Sequence, residues 1–279
     1  MSLTIILTTS PIKSHPSTTV IDLVIDSVNK HLSSENKIKI IIVCDGYKTK
    51  KSNQKSNYKS AIINDIEVDN YKQYIQNIKS KYHDHNIDII VRDKNYGFAK
   101  NIFHVMKTFV QTKYVMILQH DWIFISNLNI DKMINLMEQN REIFYLNFQS
   151  STTIDYINKM QNNYYNKILT EDYITKCGTK LLKLPFWYDK PHICQTSHYV
   201  NHVFGKKHYD PYIEKYIPIK KFVEDTYGQV ILNDIKINGI SAHEKYGTFL
   251  YNKSNQPLLM HINGRTFMTI KMLDQVINS

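Results

Sequence analysis

Along the first half of the chain, short β-branched apolar runs alternate with longer stretches whose apolar residues recur at helical spacing. Leu3 to Leu7 runs into Thr8-Thr9-Ser10-Pro11 and predicts a buried strand entering a loop. Thr18 to Leu32 places Val20, Leu23, Val24, Val28 and Leu32 on one face behind a Ser/Thr start, which predicts a helix. Ile38 to Val43 is a second β-branched run, broken by Cys44-Asp45-Gly46. Strand, helix and strand joined closely form a βαβ unit, which implies a parallel sheet with a right-handed crossover. The alternation continues. Val68, Tyr71, Ile75, Ile78 and Tyr82 predict a helix, and Ile87 to Val91 a strand. Phe98, Ile102, Val105, Met106, Phe109 and Val110 give a helix with a wide apolar face. Tyr114 to Leu118 is a strand stopped by Gln119-His120-Asp121, with more apolar residues directly after it. Ile130, Met133, Ile134 and Met137 mark another helix, and Ile143 to Phe148 another strand.

The second half is less regular. Leu181 to Phe186 and His192 to Thr196 read as short strands around Trp187-Tyr188-Asp189-Lys190-Pro191. Tyr199 to Phe204 reads as a short helix, and Phe222 to Ile235 as a longer one. Gly247 to Tyr251 and Pro257 to Ile262 read as a closing hairpin, or as a strand and a tail. The expected class is α/β, a mostly parallel central sheet flanked by helices with a less regular C-terminal half. No Gly/Pro-rich linker divides the 279 residues, so one domain is expected over 1–279.

Composition adds charge to this picture. The formal net charge is +10, which favours anionic partners. Much of the excess lies in Lys48, Lys50, Lys51, Lys55 and Lys59, set among Ser, Asn and Gln, and this stretch reads as a mobile basic loop. No zinc-finger spacing, RNA-binding signature or basic heptad accompanies it, so no specific nucleic-acid partner is expected. The 20 Tyr are largely ascribed to codon bias. Three widely spaced cysteines, Cys44, Cys177 and Cys194, argue for a reducing compartment. Neither a signal peptide nor a membrane-length apolar run is visible, so a cytoplasmic protein is expected, with peripheral membrane contact as an option.

Four polar groups fall at the carboxyl ends of predicted strands: Thr8-Thr9-Ser10, Asp45-Gly46, Arg92 to Gly97, and Gln119-His120-Asp121. In a parallel sheet these ends share one edge and converge on one crevice. Asp45 there can accept hydrogen bonds from a base or a ribose, Arg92 or Lys100 can neutralise phosphate, and Asp121 can anchor a metal or a phosphate. An Asp-Gly pair by itself is an ordinary turn, and a lone Arg an ordinary surface group.

Taken in order, Leu3–Thr9, Val43-Cys44-Asp45-Gly46, Asn95-Tyr96-Gly97-Phe98-Ala99-Lys100-Asn101 and Leu118-Gln119-His120-Asp121 resemble the GT-A glycosyltransferases, especially the inverting family 2-like group. The resemblance covers the first half well, and its most specific part is Asn95 to Asn101. It implies a nucleotide-sugar-binding half (1–127) and an acceptor-binding, catalytic half (128–279). It assigns Thr8, Thr9, Ser10, Asp45, Arg92, Asn95, Gly97, Lys100, Gln119 and His120 to the donor, a UDP-sugar or, as the alternative, a GDP-sugar. It continues at Phe222-Val223-Glu224-Asp225, where the family's Glu-Asp pair supplies the catalytic base and Asp225 matches it. Without the upstream motifs, the same pair is ordinary helix-start charge.

One departure concerns the metal. The family triplet usually offers two carboxylates, and here Gln119 and His120 leave only Asp121 to hold Mn²⁺ or Mg²⁺. Some GT-A enzymes complete the site with a C-terminal histidine, which makes His261 the leading partner and His243 the second. Arg265 is expected to clamp a phosphate. Trp187, Tyr188, His192 and His198 are assigned to a glycan or glycoconjugate acceptor, with an aromatic core corner as the equal alternative. Other readings stay open: a catalytically degraded GT-A-like binding protein, a sugar nucleotidyltransferase, and a basic nucleic-acid binder. A nucleotidyltransferase should carry a glycine-rich loop after the first strand, which Thr8 to Lys13 is not.

Overall fold

The computed structural model describes residues 3–51, 54–83, 86–156, 173–176, 178–219, 221–251 and 256–262. Its main elements are β1 (Leu3–Thr9), α1 (Thr19–His31), β2 (Lys39–Cys44), α2 (Asp65–Tyr82), β3 (Ile87–Val91), α3 (Phe98–Thr108), β4 (Tyr114–Gln119), α4 (Ile130–Gln139), β5 (Tyr145–Phe148), β6 (Tyr173–Lys176), β7 (Thr179–Lys183), β8 (His192–Gln195), α5 (Gln229–Asn238) and β9 (Thr248–Tyr251). All nine strands join one sheet in the order β6-β7-β9-β5-β8-β4-β1-β2-β3. Neighbours β3, β2, β1 and β4 run parallel. β8 is antiparallel to both β4 and β5, while β9 runs parallel to β5. The mostly parallel α/β sheet expected from the pattern is therefore present.

Period-two alternation divides the sheet residues between two cores. Leu3, Ile5 and Leu7 of β1, with Ile40 and Ile42 of β2, meet α1, α2 and α4 on one face. Ile6, Ile41, Val43, Val115 and Ile117 meet α3 and α5 on the other. Burial on both faces explains why the strands read as continuous apolar runs.

Two expectations change. The C-terminal runs do not form a hairpin with each other. β9 enters the central sheet, whereas Leu259–His261 pairs antiparallel with Trp122–Phe124, the apolar segment after the Gln-His-Asp triplet. The basic stretch is not a mobile loop in its described part. Lys48–Thr49 pairs with Ile62–Ile63, and Glu67 in the first turn of α2 pins the stretch. Ser56 Oγ and the Tyr58 hydroxyl each donate to Glu67 at 2.6 Å. Asn64 N donates to the same carboxylate at 2.8 Å, and the Asn64 side chain accepts from Glu67 N at 2.9 Å. Reciprocal capping thus starts α2 and holds the ribbon together. Burial alone would raise the Glu67 carboxyl, but the Ser56 and Tyr58 bonds outweigh it and hold it below the usual range.

Candidate functional site

Chain order reverses across the sheet between β1 and β4, so their carboxyl ends open a crevice of the kind that binds ligands in α/β folds. A cavity of about 470 Å³ lies there. Its walls include Thr8, Thr9 and Ser10 at the end of β1, Asp45 after β2, Asn95 to Phe98, Lys100 and Asn101 around the start of α3, and Gln119, His120 and Asp121 at the end of β4. The sequence-assigned donor groups therefore meet at one place, with two exceptions. Arg92 is not in the lining; its guanidinium stacks on the Tyr96 ring at 4.3 Å. Arg265 lies outside the described residues.

Asp45 acts on the neighbouring loop. Its buried carboxylate accepts from Gly46 N at 3.0 Å, Tyr96 N at 2.9 Å, Gly97 N at 3.0 Å and Asn95 Nδ2 at 2.7 Å. Those four bonds fill the acceptor capacity of a carboxylate. They fix the Asn95–Gly97 turn that opens α3, where Gly97 takes φ +81°, a conformation that favours glycine. The side chain of Asn101, one turn into α3, is buried against the cavity, and its Oδ1 has no hydrogen-bond partner. An acceptor without a partner on a residue that lines a cavity would be satisfied by a ligand that brings a donor.

Cationic groups missed in the sequence complete the lining. Lys48 and Lys59 arrive on the pinned ribbon, and Lys221 on the segment before the Glu224–Asp225 pair. With Lys100 they place four ammonium groups around one cavity. Phe98 and Phe222 stack at 5.9 Å on the same wall, and Ala99 N donates to Lys221 O at 3.1 Å, holding the segment to α3.

At the Asp121 end, the strand Leu259–His261 brings a histidine from 140 residues away. His261 Nε2 lies 3.1 Å from Asp121 Oδ2, and Ile262 N donates to Asp121 O at 2.9 Å. An oxygen and an imidazole nitrogen are ligand types that Mn²⁺ accepts, though two groups alone are fewer than a divalent ion takes. No group of three or more His, Cys, Asp or Glu suited to a metal occurs among the described residues. His243, the second candidate, is buried and bonded through Nε2 to Thr248 O, away from this corner.

Glu224 is tied to the same corner through a residue the sequence did not single out. Gln119 Nε2 donates to Asp189 O at 2.8 Å, and Asp189 N donates to Glu224 Oε2 at 3.0 Å. The Asp189 carboxylate accepts from Val223 N at 3.1 Å and Glu224 N at 3.4 Å. Burial, and then the nearby Glu224 and Asp225 charges, push the Asp189 carboxyl well above the usual range. The segment Glu224–Gly228 winds as a wide π-type turn, with Gly228 N bonded to Val223 O at 3.1 Å. A Cβ at Gly228 would come within 2.7 Å of Trp187 O, so only glycine permits this packing. Asp225 itself is exposed, its carboxylate makes no hydrogen bond within the described residues, and it does not line the cavity.

The acceptor assignment needs correcting at two of its four residues, Trp187 and His192. Trp187 and His192 are 0% exposed and pack with Tyr145 and Tyr199 in the core, where no ligand reaches them. His198 stacks on Phe144 at 4.4 Å, and burial lowers its pKa to about 3. Tyr188 remains half-buried, with Lys190 Nζ 4.8 Å above its ring. Trp187→Ala is accordingly expected to cost roughly 3–5 kcal/mol of stability in urea unfolding, with unchanged ligand affinity in the folded protein. A change in affinity without loss of stability would return Trp187 to a binding role.

The family model for glycosyl transferase family 2 matches residues 50–202. No curated protein matches the chain in sequence. Among solved structures, S. aureus TarS 1-349 matches at 11% identity over 93% of this chain and 60% of its own, with a TM-score of 0.48. The longer S. aureus TarS structure matches at 10% identity over 73% of this chain and 30% of its own, with a TM-score of 0.43. The mannosyltransferase PcManGT from Pyrobaculum calidifontis, in complex with GDP-Man and Mn²⁺, matches at 11% identity over 69% of this chain and 44% of its own, with a TM-score of 0.41. The chain therefore spans less than two thirds of each of these structures.

Proposed function

The chain belongs to glycosyl transferase family 2, and from that premise we propose that it moves a sugar from a nucleoside diphosphate sugar to an acceptor hydroxyl with inversion at the anomeric carbon. The observation that carries this reading is the crevice at the carboxyl ends of β1 and β4, with four lysines around it and Asp121 at one end. Its size suits a small ligand, and its charge a diphosphate. A UDP-sugar is the favoured donor and a GDP-sugar the alternative.

In this reading Lys48, Lys59, Lys100 and Lys221 neutralise the diphosphate, and the start of α3 adds its positive dipole end. Asn101 Oδ1 takes a hydrogen bond from the nucleoside. Asp45 serves the donor indirectly, by shaping the Asn95–Gly97 wall. Asp121 and His261 would hold Mn²⁺ or Mg²⁺, which would supply further charge neutralisation on the leaving diphosphate. The acceptor oxygen attacks the anomeric carbon from the side opposite the diphosphate. The bond from that carbon to the diphosphate oxygen breaks, and its electron pair leaves with the diphosphate. The Asp225 carboxylate takes the hydroxyl proton as the new bond forms. One displacement inverts the configuration.

A thermal-shift panel of nucleotide sugars, with and without Mn²⁺, tests the donor reading. A donor at about a hundred times its Kd should stabilise the fold by about 2.7 kcal/mol, a rise of several degrees in Tm. His261→Ala should lose the Mn²⁺-dependent part of that rise and keep the rest. No shift with any nucleotide sugar would remove the reading, and an unchanged Mn²⁺ increment in His261→Ala would remove the metal corner. The single carboxylate at Asp121 favours one competing reading, a binding protein without transfer, which product analysis after incubation with donor separates from an enzyme.

A further inference from the structure

A second cavity, of about 340 Å³, adjoins the first along α3. Lys100, Lys206 and Lys207 border it, and Phe103, Phe204 and Ile219 form much of its apolar surface. Lys100 and Ile219 line both cavities, so a molecule in one is a side chain away from a molecule in the other. The described lining contains three lysines and no acidic residue. We infer that this cavity is a subsite for a phosphoryl group carried by the acceptor, an inference that rests on the glycosyltransferase reading of the first cavity.

Three features support it. The first is charge. The nearest histidines add none near neutral pH, because burial, helped by the Lys206 charge, lowers the pKa of His198, His202 and His208. Of the two acids on the adjoining hairpin, Glu214 sits exposed in its turn, outside the cavity lining, and Asp210 is buried and occupied, accepting from Asn233 Nδ2 at 3.0 Å and Tyr212 N at 2.9 Å. The lysine charges are thus left for a ligand, and ammonium groups on flexible stems bind phosphate as point charges.

The second feature is the surface beside the charge. Lys206 and Lys207 enter the hairpin His208–Asp210/Lys215–Ile217, and Pro218 and Ile219 leave it, so the cavity opens at its base. Tyr209 and Tyr216 pair across the strands at 5.3 Å, and Tyr212 and Tyr216 are 73% and 69% exposed. Exposed rings next to an anion site offer a face to the ring or apolar chain attached to a phosphate. The third feature is direction. The chain leaving the hairpin passes Ile219, Lys221 and Phe222 in the donor cavity wall and reaches Asp225 at the next turn. A phosphorylated acceptor anchored here would lie on the same side as the base.

The test uses the full chain and a double variant, K206Q/K207Q, whose equal Tm would show that it is folded. The probes are glycerol 3-phosphate, glycerol, and phosphatidylcholine vesicles with and without phosphatidic acid. The wild type should bind the phosphate-bearing probes and not their neutral counterparts, with affinity falling as salt rises. The double variant should bind them about tenfold more weakly, with UDP affinity unchanged. Binding of glycerol 3-phosphate supports a soluble phosphorylated acceptor, and binding of the acidic vesicles alone supports a lipid-borne one. If UDP binds but neither phosphate probe does, or if the double variant binds both as well as the wild type, the subsite is overturned. If UDP itself fails to bind, the donor reading falls, and the acceptor role falls with it.

Discussion

Asp225→Asn is expected to slow sugar transfer about 10²- to 10⁴-fold while leaving Tm and nucleotide affinity unchanged. The exposed carboxylate bonds to no other described residue, so its loss removes no packing and no structural hydrogen bond. Asparagine keeps the shape and cannot take a proton at neutral pH. Single-turnover transfer at saturating donor reads the chemical step, and kcat should fall with little change in donor KM. Glu224→Ala should behave differently. Glu224 accepts the Asp189 backbone N–H, so its loss loosens the turn that carries Asp225 and lowers stability as well as rate. Undiminished transfer by Asp225→Asn would take the base role away from it.

Asp45→Ala should have the largest effect on the fold of any change in the crevice. Four donors converge on this buried carboxylate, two of them the backbone N–H groups of Tyr96 and Gly97 at the entry to α3. Alanine leaves those groups unsatisfied, at a cost of roughly 2–5 kcal/mol, a large part of the stability of an ordinary domain. Donor affinity should fall with it, because the freed turn forms the cavity wall. Asp45→Asn keeps one acceptor oxygen and should lie between. Urea midpoints and nucleotide titrations measure both consequences. Wild-type stability with weakened nucleotide binding would mean that Asp45 touches the donor directly.

Comparing sequence with structure shows where the pattern was readable. Strands buried on both faces leave long β-branched runs, so β1 to β4 and the helices between them were legible almost residue for residue. The crevice followed, because parallel strands must bring their carboxyl ends together. Partnership across the chain was less visible. Asp121 and His261 were linked by resemblance, and what joins them physically is the pairing of two three-residue strands whose register no local pattern announces. The basic stretch read as mobile because its composition is polar. The bonds that fix it come from Glu67, on the helix that follows. Asp189 was passed over inside Trp187-Tyr188-Asp189-Lys190, since neither the burial of its carboxylate nor its backbone partners have a sequence signature. The same segment misled in the other direction. A cluster of aromatic and histidine residues suits a glycan platform and a core corner equally, and only the packing of Trp187 against Tyr145 and Tyr199 separates them.

The joint at Asp189 also bears on how such a chain can diversify. It ties the Gln119 corner to the Glu224–Asp225 turn through the side chains of Gln119, Asp189 and Glu224, each bonded to a backbone group, so changes at other side chains leave it intact. The hairpin at His208–Ile217 stands outside that joint, and its tyrosines contribute nothing to it. On the proposed placement of acceptor and base, acceptor preference could therefore be exchanged, by mutation or by grafting another hairpin, without re-registering Asp225 against the donor cavity. A library randomised at Tyr209, Tyr212, Ile213 and Tyr216 is the place to look for new acceptors with the original donor retained.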